Sequence, residues 1–262
     1  MDASAVLARY DEEERIKANW PPFLREELPH IVRHVPSGAA TPAPLDHKAF
    51  IAYSSLNESN ADSVIHAQRD WAEERCIELG WKLYGHDKPD DLGKRLVAHG
   101  FEPQEPESIM VLPLDDVPPR LLAPPAHEIR RITDPALLKH VKQVNDVVWE
   151  EDQADLYAEL ADTMTGRPEQ LSVYVAYRNE SPVAAAWLRI NEGKPFASLW
   201  GGSTLPDYRG RGYYTALLAI RAQEAVRRGA RFLTVDAGPM SRPIVARHGF
   251  QQITTACDYD LS

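Results

Sequence analysis

The 262-residue chain has only two cysteines, Cys76 and Cys257, far apart in sequence. A disulfide framework is excluded as the source of its stability, and both thiols are expected to be reduced and buried. No apolar run approaches the length of about 20 residues that crosses a bilayer as a helix. The first residues, Met1-Asp2-Ala3-Ser4 and then Asp11-Glu12-Glu13-Glu14-Arg15, offer neither a basic segment nor an apolar one, so they do not read as an export signal. A cytoplasmic protein with no membrane partner is expected. Basic charge is also scarce: 29 Lys and Arg stand against 39 Asp and Glu, a formal net charge of −10. That balance argues against a nucleic-acid partner and favours a cationic or small neutral one. His86-Asp87 and His127-Glu128 lack metal-ligand spacing, and His30, His34 and His47 sit in unrelated contexts. No metal is expected, and no Ser-His-Asp arrangement can be built. With 44% hydrophobic and 26% charged residues, the chain can still bury a core, as one large or two small domains.

The informative stretch is Pro206-Asp207-Tyr208-Arg209-Gly210-Arg211-Gly212-Tyr213-Tyr214-Thr215. It follows a strand-like segment, Phe196 to Thr204, and opens a helix-like one, Gly212 to Arg228. A glycine-rich turn between strand and helix can cradle phosphate. Its glycines admit the ligand to the backbone, and its N–H groups and the helix N-terminus favour an anion. A plain solvated turn is the other reading of the same residues. Gly229 stops the helix after Arg227 and Arg228. Phe232-Leu233-Thr234-Val235-Asp236 reads as a buried strand. Ser241-Arg242-Pro243-Ile244 opens a short helix, and Arg247-His248-Gly249-Phe250 follows it. Loop, helix, strand, helix and Gly-Phe in this order resemble the GNAT superfamily of N-acetyltransferases, whose acyl-CoA pyrophosphate loop reads Gln/Arg-x-x-Gly-x-Gly/Ala. Arg209 and Gly212 match at that spacing, and Tyr214 stands where Gly or Ala is usual. The resemblance covers residues 127 to 262.

A weaker copy precedes it. Ala61 to Leu79 reads as an amphipathic helix, with Ala61, Val64, Ile65, Ala72, Cys76 and Leu79 on its apolar side and Gly80 as its stop. Trp81 to Tyr84 is strand-like, Asp91 to His99 helical, then Gly100-Phe101 and a strand from Ser108 to Leu112. In place of the cradle, after the strand Phe50 to Leu56, stands Asn57-Glu58-Ser59-Asn60, without glycine and with a carboxylate that repels phosphate. The other reading of this half is an unrelated α+β domain. Pro113, Pro118, Pro119, Pro124 and Pro125 mark residues 113–126 as a linker, and a second Pro/Ala/Gly-rich loop runs from Pro36 to Pro44. The resemblance therefore implies an α/β (α+β) fold. Its mixed, mostly antiparallel sheet is flanked by helices in two tandem GNAT-like halves, a degenerate one at 1–112 and a catalytic one at 127–262.

The resemblance also implies an acetyl-CoA-dependent N-acetyltransferase acting on an amine of a small-molecule or peptide acceptor, by direct attack in a ternary complex. Val173 to Tyr177 and Val183 to Ile190 form a hairpin about Arg178-Asn179-Glu180, ahead of a strand that in the family splays from its neighbour to admit the thioester. By position, Ser203, Thr204 and Leu205 would hold the thioester carbonyl. Arg209, Gly210, Arg211, Gly212, Tyr213, Tyr214 and Thr215 would hold the pyrophosphate, and Ser241 would touch CoA or simply cap its helix. The amine must lose a proton before attack. Glu150, Glu151 and Asp152, at the junction of helices Ala136 to Val148 and Gln153 to Thr163, are candidate bases or a solvated acidic turn. Asp236 is a second candidate base, or a cap for the next turn. Many family members carry a tyrosine acid where Val245 stands. Tyr213, Tyr214 or His248 could replace it, the thiolate could leave unaided, or His248 could be a helix-terminal charge. Val245 also motivates the alternative of a non-catalytic CoA-binding or sensor module. Transfer from an aminoacyl-tRNA is disfavoured by the acidic chain and the intact CoA-type loop. The acceptor and the oligomeric state carry no sequence signature.

Overall fold

The computed structural model describes residues 2–37, 48–150 and 153–261. Glu151, Asp152 and most of the loop from Pro36 to Pro44 lie outside the described residues. In chain order the elements are α1 (Ala3–Tyr10), a π-helical turn (Asp11–Ile16), β1 (Leu24–Leu28), β2 (Ile31–Val35), β3 (Ala49–Ser54), α2 (Ala61–Glu73), β4 (Leu79–Tyr84), α3 (Leu92–Ala98), β5 (Glu102–Pro103), β6 (Glu107–Pro113), α4 (Pro119–Leu122) and β7 (Glu128–Ile132). There follow α5 (Leu138–Trp149), α6 (Ala154–Gly166), β8 (Leu171–Arg178), β9 (Ser181–Ile190), β10 (Phe196–Thr204), α7 (Tyr213–Arg227), β11 (Phe232–Ala237), α8 (Arg242–Arg247) and β12 (Gln251–Leu261). By packing the chain divides into two units. One is Met1–Met110 with Asp236–Pro243 and Gln252–Ser262, the other Val111–Val235 with Ile244–Gln251. The C-terminal strand thus packs with the N-terminal residues, which sequence order does not suggest.

In the first unit the strands run β1-β2-β3-β4-β12. β12 pairs antiparallel with β4, Ala256 opposite Tyr84 through Leu261 opposite Leu79. The core is Ile51, Ile65, Trp81, Leu92, Leu96 and Phe101, all nearly inaccessible. In the second unit the order is β11-β10-β9-β8-β7. The β8–β9 hairpin turns at Asn179 and Glu180, both with positive φ, the two-residue geometry that matches strand twist. β9 is apolar and buried nearly throughout, because both its faces are covered. Ala185 and Trp187 join Val141, Leu160 and Val175 on the α5–α6 side. Ala184 and Ala186 join Tyr174, Tyr213 and Leu217 on the α7 side.

The two units share a signature that residue spacing alone does not show. In each, the strand before the long helix pairs in parallel with the strand after it over three residues: Ala49–Ile51 with Leu79–Trp81, and Phe196–Ser198 with Phe232–Thr234. In each, that same strand breaks register with its antiparallel neighbour, β3 between the partners of Val32 and Arg33, β10 between Trp200 and Ser203. The mixed, mostly antiparallel sheet of the sequence reading is therefore present in both units.

Three sequence expectations are corrected. The helix from Ala61 ends at Glu73 rather than Leu79. Its left-handed stop is Cys76 (φ 51), while Gly80 is a paired strand residue. Cys76 is exposed and Cys257 half-buried, both free, so the thiols are not a buried pair. Residues 113–126 are not a bare linker. Pro119 opens α4, where a missing N–H costs nothing. Leu121 is fully buried and Gln223 donates to the Leu121 and Ala123 carbonyls at 2.9 Å each.

A buried carboxylate gives the second unit a pH-dependent element. Glu224, 4% exposed, accepts from Ser172 at 2.7 Å and from Tyr174. Burial raises its pKa, but these bonds and the charges of Arg131 and Arg228 outweigh it, and the net shift is downward. Its contribution is therefore fully present above the ordinary glutamate value and is lost as pH falls through the lowered folded value. Glu224→Gln is expected to cost about 2 kcal/mol at neutral pH by leaving donors unmet, and to flatten the fall of urea midpoint between pH 7 and pH 3. An unchanged acid limb contradicts this assignment.

Candidate functional site

The glycine turn begins where β10 ends. Pro206–Tyr208 makes one 3₁₀ turn, Arg209 is extended, and Gly210 and Gly212 take φ of 71° and 86°. This left-handed region is cheap only for glycine. Space is open around Gly210, and a Cβ on Gly212 would meet only His127 Nε2, at 3.3 Å. Gly212 caps α7 without a side-chain bond, and the first intrahelical bond is Ala216 N–H to the Gly212 carbonyl at 2.9 Å. The N–H groups of Tyr213, Tyr214 and Thr215 lie ahead of that bond at the positive end of a 15-residue helix. Arg209 and Arg211 are exposed, and neither pairs with a carboxylate among the described residues. The result is a positive, donor-rich turn suited to an anion.

His127 braces it. Its Nε2 donates to the Arg211 carbonyl at 2.9 Å, and its ring stacks on Tyr213 with centroids 4.0 Å apart. The Tyr213 ring is core, 4% exposed, so what that residue brings to the turn is its N–H. The Thr215 hydroxyl meets His248 Nε2 at 3.2 Å. Burial, and then the charge of Arg120, push the His248 pKa down. The downward shift disfavours the charged form that a helix-terminal role would need.

The strand leading into the turn is opened on one edge. β10 pairs with β11 only over Phe196–Ser198, leaving Leu199 to Thr204 unpaired on that side. On the other side β9 holds it: Trp200 opposes Trp187, and Ser203 opposes Ala185, with Gly201 and Gly202 facing one residue between them. This is a bulge with glycine in the left-handed position, Gly201 at φ 60°. Leu205 N–H donates to the Val183 carbonyl at 3.0 Å. Alternation along an antiparallel ladder then turns Ser203 toward β9 and Thr204 away from it. The Thr204 carbonyl accordingly accepts from Arg209 Nε at 3.2 Å. Of the three residues expected to offer an N–H, Thr204 is the one that presents it on the open edge. Tyr214 lies over Gly202, whose added Cβ would come within 3.0 Å of the ring. Burial raises the pKa of its hydroxyl, which Arg221 partly opposes.

The remaining candidates are dispersed. Glu150 ends α5 in a left-handed conformation (φ 59°) and is exposed. Asp236 accepts from Lys82 Nζ at 2.5 Å within the first unit. Burial opposes the Lys82 charge, but Asp236, with Tyr84 and Asp258, more than restores it, and the Lys82 pKa is pushed up. Ser241 belongs to that unit too, its hydroxyl donating to the Gly238 carbonyl at 3.3 Å. Val245 is fully buried. The sequence reading missed His127, Gly201, Gly202 and Arg221. The Gly201-Gly202 pair inside a strand pattern was a readable sign of a bulge. Among the described residues no cluster of three or more metal-ligating side chains occurs, and no helix is long and apolar enough to cross a membrane.

Comparison with known proteins agrees with this geometry. The profile of the acetyltransferase (GNAT) family matches residues 131–250. A GCN5-related N-acetyltransferase from Kribbella flavida superposes with a TM-score of 0.67 at 16% identity, over 98% of this chain and 93% of that one. One from Sphaerobacter thermophilus gives 0.62 at 15% identity over 88% and 76%. A tandem GNAT protein from the clavulanic acid biosynthesis pathway gives 0.57 at 16% identity over 88% and 78%. No curated protein sequence matches. Residues 131–250 thus match the acetyltransferase (GNAT) family, and the chain as a whole shares the fold of GCN5-related N-acetyltransferases, a tandem GNAT protein among them.

Proposed function

We propose that the protein transfers the acetyl group of acetyl-CoA to an amine of a small-molecule or peptide acceptor. The observation that carries this reading is the Gly210–Gly212 turn, with its uncapped helix, exposed Arg209 and Arg211, and the open edge of β10 beside it. The CoA pyrophosphate would lie on the N–H groups of Gly212 to Thr215, and the thioester carbonyl on the Thr204 N–H. The amine nitrogen attacks the carbonyl carbon, the C–S bond breaks, and CoA leaves as a thiolate that takes up a proton. A primary amine, with a pKa of about 10.4, must first lose one. Glu150, exposed at the end of α5, is the base this reading favours, because Asp236 is already engaged by Lys82.

One CoA is expected per chain. In the first unit the Asn57 side chain accepts from Ser59 N–H at 2.8 Å and Asn60 N–H at 3.2 Å, and Ala61 N–H goes to the Asn57 carbonyl at 3.1 Å. Those donors are spent, and Glu58 beside them is exposed and acidic. Calorimetric titration should give a stoichiometry near one, and a value near two would defeat the degenerate-half reading.

A second reading is favoured by Val245, a buried residue with no proton to donate to the leaving thiolate. In it the protein binds CoA without turnover. Thiol release from acetyl-CoA, screened across an amine library, separates the two. Release with any amine supports the transferase. Tight CoA binding without release supports the binding module, and no CoA binding refutes both.

A further inference from the structure

Arg221 is 1% exposed, yet no carboxylate lies within ion-pair distance of it among the described residues. Its guanidinium is spent on backbone carbonyls. Nε donates to Leu217 at 2.9 Å, and Nη1 donates to Trp187 at 3.1 Å and Trp200 at 3.3 Å. Those last two are the directly opposed residues at the mouth of the β10 bulge. Burying an unpaired cation is costly, so a fold that keeps one needs a compensating use for it. The bulge is fixed from the other side as well: a Cβ on Gly201 would fall 1.9 Å from the Trp187 ring. Arginine and glycine together set where β10 changes phase, and that phase decides which N–H groups face the open edge.

The first unit carries the same device with its charge cancelled. Tyr53 opposes Val32 and Ile51 opposes Arg33, so Ala52 is the extra residue of the β3 bulge. Its carbonyl accepts from Arg15 Nε at 3.3 Å. Arg15 is equally buried, but it is paired with Asp11 and Asp87 at 2.8 Å each. Of these two bulges, the one beside the glycine cradle is latched by a cation with no carboxylate partner among the described residues.

We propose that Arg221 is a positioning residue for acyl transfer: by holding the β10 bulge it aims the Thr204 N–H at the thioester carbonyl oxygen. This rests on the acetyl-CoA reading above. The test uses Arg221→Lys and Arg221→Gln, with Kd for CoA and for acetyl-CoA by calorimetry. The stretching frequency of carbonyl-labelled acetyl-CoA is read in the complex by difference infrared spectroscopy. The wild type should lower the carbonyl stretch relative to water. Both variants should bind CoA within about threefold of wild type, since the cradle is untouched. They should lose the lowered stretch and the preference for acetyl-CoA over CoA, and drop kcat by about a hundredfold. If Arg221→Gln does not fold, Arg221→Lys, which keeps the cation, is the variant read. An unchanged stretch in a folded variant overturns the proposal, as does a parallel loss of CoA and acetyl-CoA affinity, which marks a merely structural role. A wild type that binds neither ligand overturns the transferase reading itself and this proposal with it.

Discussion

Gly212→Asp is expected to weaken CoA binding about a thousandfold while the protein stays folded. A carboxylate about 4 Å from the pyrophosphate, at an effective dielectric of about 20, costs about 4 kcal/mol, which corresponds to that factor. The fold should tolerate the change. The would-be Cβ meets only His127 Nε2, at 3.3 Å, and that half-buried ring can give by a few tenths of an ångström. Gly212→Asn is the matched control: asparagine accepts the left-handed backbone as readily and carries no charge. Calorimetry on both variants, with circular dichroism as the check on folding, decides the matter. Near-wild-type affinity in folded Gly212→Asp removes the cradle from this turn. An equal loss in Gly212→Asn makes the effect steric rather than electrostatic.

Gly201→Val is expected to be the most damaging single change at the site, lowering stability by about 3 kcal/mol or more. The left-handed backbone alone costs about 1–2 kcal/mol for a residue with a Cβ. Displacing the Trp187 ring, 2% exposed and 1.9 Å from that Cβ, adds about 1–3 kcal/mol of overpacking. Gly193→Val supplies the comparison. Gly193 also has positive φ (73°), but nothing lies within 4 Å of its added Cβ, so it isolates backbone strain. Urea midpoints of the two variants should differ clearly. If they coincide, Trp187 does not pin the bulge, and the latch formed with Arg221 loses half its support.

The burial of Val245 changes how its chemistry can be probed. A tyrosine placed there would have to fit a fully buried site, so lost activity in Val245→Tyr would report overpacking as much as chemistry. Tyr214, half-buried over Gly202, and His248, bonded to Thr215, are the better positions at which to look for a proton donor.

The order of strand, glycine turn, helix and Gly-Phe was legible because each signal is local. A positive φ at Gly210, Gly212 and Gly249, the hairpin at Asn179-Glu180 and the helical periodicity of α7 depend on a residue and its near neighbours. The missing glycine and added carboxylate of the Asn57–Asn60 turn are likewise properties of four adjacent residues, whereas the bonds by which Asn57 takes up its donors are seen only in the structure. What sequence could not decide depends on partners far along the chain. The left-handed stop of α2 falls on Cys76 rather than Gly80 because Gly80 is claimed by pairing with Phe50. Asp236 is engaged because Lys82, 154 residues away, reaches it. Choosing among Ser203, Thr204 and Leu205 required the register of β10 on β9 and the bulge that shifts it, since a one-residue slip turns every N–H to the opposite edge. Residue chemistry alone specified that an anion could be held after β10. Tertiary pairing, through Trp187, Gly201 and Arg221, decided which backbone group faces the place where the acyl carbonyl would lie.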